Sequence, residues 1–275
     1  MPSPTPSPAS SIRAGIGGWT FAPWRNNFYP AGLVQRRELE YASRQLRAIE
    51  INGTFYGAQK PATYAKWAAE TPEGFVFALK APRYVVESKK LAAAGKGIDA
   101  FVFSGIEEMG DRLGPINWQL GPARPFDADD IAGFLDLLPR ELNGRPLRHV
   151  LEVRHPSFES ERYVELARAR GVPTVFTDAT RYPSFADITG PFVYARLMRS
   201  SADEPDGYPT EALDAWAAHA HAWARGEDPA ALPHAGAPQS RGAPREVFIF
   251  FISSAKERNP AAAIALQARV DQPRP

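Results

Sequence analysis

The chain of 275 residues contains no cysteine. It can form no disulfide, offers no thiolate nucleophile and holds no cysteine-ligated metal, a composition suited to a reducing compartment. An excess of one charge is missing too, since 32 Lys and Arg face 31 Asp and Glu. The broad basic footprint of a duplex-binding domain is therefore absent, and nucleic acid is left only a local patch. No window approaches the roughly 18 consecutive apolar residues of a membrane span, and the longest candidate, VFIFFI at 247–252, has strand length. The opening MPSPTPSPASS (1–11) lacks the apolar block of a secretory signal. It reads as a disordered tail on a cytoplasmic protein with no membrane partner. Ser-His-Asp order and HExxH are also lacking. What is there is ordinary for a folded protein: 44% hydrophobic and 23% charged residues exclude wholesale disorder, a coiled coil and a collagen-like chain.

Eight short β-branched or aromatic runs alternate with helical patterns, the signature of a parallel sheet built from βα units. The runs are 12–18, 47–52, 75–80, 115–120, 149–154, 173–178, 192–197 and 247–252. Helices are expected over 35–46, 61–70, 98–113, 127–138, 159–170, 210–225 and 260–270. Only a short turn or helix is expected near 182–186, and an extended excursion runs through 89–96. Asp127 stands as an N-cap ahead of Asp129 and Asp130, read as a solvated helix start, and Pro260 occupies a first-turn position. This order and size match an α/β protein with one domain over 12–271, a single (β/α)8 TIM-type barrel with parallel strands. The rival doubly wound sheet usually announces a glycine-rich phosphate turn, and GIGGWTFAPW lacks the G-x-G-x-x-G spacing. The Pro, Gly and Ala-rich stretch 226–246 reads as a mobile inserted loop.

Barrel enzymes carry their working groups at the C-terminal ends of the strands, where the βα loops open. Period two puts Glu50 with Asn52, Asn117 with Gln119, and Glu152 with Arg154 on one strand face. Ile49, Ile51, Leu151 and Val153 then face the helices. Six ionisable groups in otherwise apolar strands need a partner or a use: Glu50, Lys80, Glu152, Arg154, Asp178 and Arg196. As scaffold they form a salt-bridge network that fixes the mouth. As a site they form a pocket for a small polar or anionic ligand, the reading favoured by their regular placement at successive strand ends. The catalytic candidates are then Glu50, Lys80, Glu152, Asp178 and His155. Trp19, Asn52, Tyr56, Asn117, Gln119, Arg154 and Arg196 are the candidates for binding substrate.

Lys80 is either a counter-ion of Glu50 or Asp178, the more ordinary role, or a desolvated amine fit for Schiff-base chemistry. His155 is the one histidine at a strand end and could act as base, metal ligand or cap of the turn before Pro156. Glu50, Glu152, Asp178 and His155 resemble the ligand types of a divalent-metal barrel. Zinc wants more than one imidazole, however, and magnesium or manganese would suit the oxygens better, so weak or no divalent binding is expected. No cofactor is implied. Trp19, Trp24, Phe55 and Tyr56 either form an aromatic rim that stacks a sugar or base or pack the loops over the barrel. An enzyme acting on a small polar or anionic substrate is the leading reading. The alternatives are a non-catalytic binding module, nucleic acid being one ligand, and a metal-dependent hydrolase. The oligomeric state is not legible.

Segments spread over nearly the whole chain resemble the domain of unknown function 72 family, also called YecE-like. They are GIGGWTFAPWRNNFYP (15–30), EINGTFYG (50–57), KPATYAKWAAETPEGFVFALKAPR (60–83), LGPINWQL (113–120), LEVRHPSF (151–158) and DGYPTEALDAW (206–216). The resemblance implies a barrel and brings no assigned reaction or catalytic residues. Three places depart from the commonest family form. Gly17-Gly18 stands where that form has Ser or Thr, Arg196-Leu197-Met198-Arg199 where it has R-x-H-G, and FFISSAKER where it has a paired-asparagine ending.

Overall fold

Eight strands form where the β-branched and aromatic runs stand: β1 (Ile12–Gly17), β2 (Ala48–Ile51), β3 (Val76–Lys80), β4 (Leu113–Gln119), β5 (His149–Glu152), β6 (Phe176–Thr177), β7 (Phe192–Leu197) and β8 (Glu246–Phe251). The computed structural model describes residues 11–239 and 242–272; apart from Ser11, the expected tail lies outside them. Every pairing in the sheet is parallel, in the order β5-β4-β3-β2-β1-β8-β7-β6. First and last strands are joined by five register pairs, from Ile12 with Val247 to Ile16 with Phe251. Between β5 and β6 the ring closes through Leu151 alone, which bridges Thr174, donating its N–H to Pro173 O and accepting from Val175 N–H, both at 2.9 Å. The expected (β/α)8 barrel is the observed architecture.

The helices are α1 (Glu38–Gln45), α2 (Pro61–Ala69), a short α3 (Arg83–Val86), α4 (Gly95–Val102), α5 (Ala128–Leu137), α6 (Glu161–Arg170), α7 (Thr210–Ala224) and α8 (Asn259–Asp271). Asp127 caps α5 by accepting from the N–H groups of Asp129 and Asp130. The Asp130 carboxylate is not simply solvated, as its sequence position suggests, but accepts from Leu91 and Ala92 N–H. The single helix expected over 98–113 is instead α4 and a separate 3-10 segment, Ile106–Arg112. Gly105 forces the break, because it is left-handed (φ 107°) and a Cβ there would lie 2.6 Å from a Pro61 ring carbon. No helix forms near 182–186. A two-stranded ribbon, Glu141–Leu142 with Arg145–Pro146, turns on Asn143 and Gly144, both at positive φ. Asn-Gly between short runs is the signal that marks it. In the 226–246 stretch, Ala235 and Gly236 donate to Asp187, and His234 meets Asp228 at 2.8 Å.

Strand alternation sorts the interior into two layers. Ile49, Ile51, Phe77, Leu79 and Leu151 pack outward in the large core beneath the helices, while Ala48, Ala78, Val150, Tyr194, Phe248 and Phe250 fill the lumen. Gly15 is required among them: a Cβ would sit 2.1 Å from Ala48 O and 3.2 Å from the Phe250 ring. The lumen is thus packed to its upper layer, and the chemistry-bearing side chains can gather only above it.

Candidate active site at the mouth of the barrel

The next inward positions of β2, β4, β5 and β7 are Glu50, Asn117, Glu152 and the pair Tyr194 and Arg196, all buried. Arg196 is their centre. One terminal nitrogen donates to both oxygens of Glu152, at 2.9 and 2.7 Å, and the other to Glu50 Oε1 at 3.0 Å. Tyr194 donates its hydroxyl to Glu50 Oε2 at 2.6 Å. Glu152 also accepts from Asn117 at 3.0 Å, from Gln119 at 2.8 Å and from Arg154 Nε at 2.7 Å. Burial alone would push the Glu152 carboxyl up, but Arg196 first, then Arg154 and the two amides, bring its pKa down to about 2. Burial likewise opposes the Arg196 charge, and Glu152 with Glu50 outweighs it, raising the pKa further. Two heteroatoms on this floor lack partners, Arg196 Nε and Asn117 Oδ1.

Above the floor opens a cavity of about 610 Å³. Trp19, Asn52, Lys80, Gln119, Arg154 and Arg196 line it, so six sequence candidates meet at one surface. Glu50, Glu152 and Asn117 lie beneath as partners of those groups. Gln59, Trp67, Arg181, Ser253, Lys256 and Asn259 complete much of the wall and are not evident from the strand ends, because all stand on helices or loops. Tyr194 was legible: it sits two residues before Arg196, hence on the same strand face.

The lining contains five cationic side chains (Lys80, Arg154, Arg181, Arg196 and Lys256) and no carboxylate. Among the described residues Lys80, Arg181 and Lys256 make no ion pair. They rest on aromatic faces instead: Lys80 Nζ is 4.2 Å from the Phe55 ring centre and Lys256 Nζ is 4.5 Å from that of Phe21. The Arg181 and Arg154 guanidiniums lie 4.9 and 4.3 Å from that of Tyr182. The counter-ion role open to Lys80 therefore has no carboxylate at contact distance. Its pKa is lowered, first by burial and then by the Arg196 charge, and that of Lys256 is lowered by burial.

Three candidates stand apart from the cavity lining. Asp178 accepts from Met198 N–H and from the Tyr208 hydroxyl, tying the end of β6 to the loop after β7, and burial raises its pKa. His155 turns its Nδ1 onto Ser157, accepting the Ser157 N–H, and so caps the turn that begins at Pro156. Tyr56 is 78% exposed and touches Phe55 edge to face. Trp19 packs against Trp67 and Phe77, holding the loop after β1 down on the barrel while one face remains in the cavity wall. Among the described residues no three His, Asp or Glu side chains converge as metal ligands do.

Two of the three departures noted in the sequence reach the cavity, at the loops after β1 and β8; in the third, Arg196 keeps the arginine of the family form, and the differing Met198 and Arg199 lie outside the lining. Gly17, Gly18, Arg196, Ser253 and Lys256 all border the cavity. A Cβ at Gly17 would come within 3.0 Å of the Asn52 amide nitrogen, and Gly18 is left-handed. Ser253 and Ser254 also hold positive φ, an uncommon backbone for serine that functional loops concentrate.

Comparison with known proteins agrees with this architecture. The solved structure of a DUF72 family protein from Thermotoga maritima MSB8 superposes with a TM-score of 0.68 at 21% identity, covering 93% of this chain and 96% of that one. A DUF72 family protein from Enterococcus faecalis V583 gives 0.66 at 13% identity, covering 96% and 97%. SacUVDE gives 0.52 at 11% identity over 94% and 97%. These likenesses are of fold. In sequence, 70 residues are 31% identical to the UPF0759 protein YunF of Bacillus subtilis (strain 168), spanning 26% of this chain and only 24% of that relative's length. No helix among the described residues is long and apolar enough to cross a membrane. A family model described as "Protein of unknown function DUF72" matches residues 13–275, so the chain belongs to the DUF72 family.

Proposed function

We propose that this barrel is an enzyme acting on a small anionic substrate seated in the cavity at its mouth. The observation that carries the reading is the imbalance of the lining, five cations and no carboxylate, with Lys80, Arg181 and Lys256 free of acidic partners. Of these, Lys80 and Lys256 are partly desolvated without an acidic partner, which is costly, and a bound anion removes that cost. Glu50 and Glu152 act in this reading as positioning residues: their lone pairs are occupied by Arg196, Tyr194 and their neighbours, so they fix the guanidinium that meets the substrate. Asn52 and Gln119 supply neutral polar contacts, and Trp19 with Trp67 closes one wall.

The test is a set of thermal melts with inorganic phosphate, citrate, sugar phosphates and the matching neutral sugars. A ligand of the folded state stabilises according to occupancy, about 2.7 kcal/mol at a hundredfold excess over Kd. Anions should raise Tm, neutral sugars should not, and replacing Lys80 and Lys256 together by Ala should remove the rise. Equal response to charged and neutral sugars would reject the assignment. Stabilisation only by a short oligonucleotide, lost in salt, would favour the nucleic-acid alternative.

A further inference from the structure

We infer that Lys80 is a covalent nucleophile, its amine condensing with the carbonyl group of an anionic aldehyde, ketone or oxo acid held by the other cations of the mouth. This deepens the anionic-substrate reading and rests on it. The geometry separates Lys80 from an ordinary surface lysine in three ways. It stands at the end of β3, paired in register with Asn117, so its backbone is fixed by the sheet rather than by a loop. Its Nζ is held over the Phe55 ring at 4.2 Å, which fixes the position of the head in the cavity lining. The two nearest carboxylates are already paired: Arg196 binds Glu50 and Glu152 together, and among the described residues no acid lies within ion-pair distance of Lys80. Arg196, and Arg154 after it, place like charge toward the lysine and favour the uncharged amine, while the more distant charges of Glu50 and Glu152 act the other way without reversing the shift. Burial acts in the same direction.

The step balances without any further reactant. A proton leaves the Lys80 ammonium, the freed lone pair adds to the carbonyl carbon, and the C=O π pair moves to oxygen. That oxygen takes up two protons in all, both originating on the nitrogen, and departs as water with its bonding pair. The nitrogen's remaining lone pair forms the C=N bond of a protonated imine. The net change is ammonium plus carbonyl giving iminium plus water, with charge conserved. Anionic groups elsewhere on the substrate would rest on Arg154, Arg181 and Lys256, and the iminium would act as the electron sink for breaking a bond at the adjacent carbon.

Pyridoxal 5′-phosphate, an anionic aldehyde, probes the amine independently of the natural substrate. The full chain is incubated at neutral pH with a limiting amount of this reagent, reduced with borohydride, digested and mapped by mass. Lys80 should carry at least about tenfold more label than Lys60 or Lys66, the margin expected when burial and a like charge enlarge the neutral-amine fraction. Excess inorganic phosphate should protect it. Lys80→Arg should retain phosphate-induced stabilisation and lose the dominant label, and its unliganded melt reports whether the variant is folded. Label spread evenly over the lysines, or concentrated on Lys256, would overturn the proposal. Phosphate stabilisation persisting in that case would leave the anionic-substrate reading standing, whereas its absence would remove both.

Discussion

The floor and the rim of this mouth are built from the same residue types and solve opposite problems. On the floor, each carboxylate has a cation and each principal cation a carboxylate: Arg196 bridges Glu50 and Glu152, and Tyr194, Asn117, Gln119 and Arg154 occupy remaining positions. On the rim, Lys80, Arg181 and Lys256 have aromatic faces in place of acids. The charges of the floor are paired and so resist change, whereas the rim is left electrically incomplete and so awaits something. A strand-end charge is informative about function only when its partner is absent.

Removing Arg196 should separate the two layers most sharply. Arg196→Ala leaves Glu50 with a tyrosine hydroxyl as its one neutral partner, and breaking a buried ion pair from one side costs about 3–5 kcal/mol. Urea unfolding should show a loss of that order, and a loss below about 1 kcal/mol would mean that the floor is not the fixed element described.

Acid should weaken the floor next. The folded pKa of Glu152 lies below its ordinary value of 4.5, at about 2. Its contribution is therefore complete above pH 4.5 and lost as pH falls towards 2, an amount of about 3 kcal/mol. Glu152→Gln should flatten the stability curve in that interval. An unchanged acid limb would place the titration elsewhere.

Arg154 lies on the border. Glu152 keeps Arg196 when Arg154 is removed, so no carboxylate is left without a cation, and the Arg154 side chain, although largely buried, retains 16% exposure. Arg154→Ala should cost about 0–1 kcal/mol in unliganded protein while lowering the phosphate-induced rise in Tm. A loss equal to that of Arg196→Ala would assign Arg154 to the scaffold. The smallest effect belongs to Lys256→Ala, about 0.5 kcal/mol from the lost cation–π contacts, accompanied by a clear loss of phosphate response. A variant with full phosphate response would detach Lys256 from the site.

What the sequence reveals follows this division. Glu50, Glu152 and Arg196 are legible because a charged residue in an apolar strand breaks a two-residue period, and the period also tells which face it occupies. The same rule yields Tyr194, whose aromatic ring hides it among ordinary lumen residues. Lys256 stands in a short 3-10 turn and Arg181 in a loop, both without periodicity, and their place in the cavity depends on how β8 and β6 end, which local pattern does not carry. His155 and Asp178 share the strand-end signature of a catalytic group, yet His155 caps its own turn on Ser157, one of the roles its sequence position offered, and Asp178 is held by Met198 and Tyr208, which only the folded loops bring close. For the scaffold, alternation marked all eight strands, but the helix over 98–113 breaks at Gly105 through contact with Pro61, two residues far apart in the chain.

The uneven ring of strand pairings has a consequence for how the chain acquires its shape. Its two most distant segments, 12–16 and 247–251, share five register pairs, while the sequence neighbours β5 and β6 meet at Leu151 alone. Much of the closure therefore depends on contacts separated by more than two hundred residues, and the entropy of gathering so long a loop must be overcome before those contacts reward it. During synthesis the β1 edge lacks its native partner strand until β8 leaves the ribosome. Closure of the ring cannot precede that strand, and the cavity, whose wall includes Phe251 and Ser253, is complete only once it is in place.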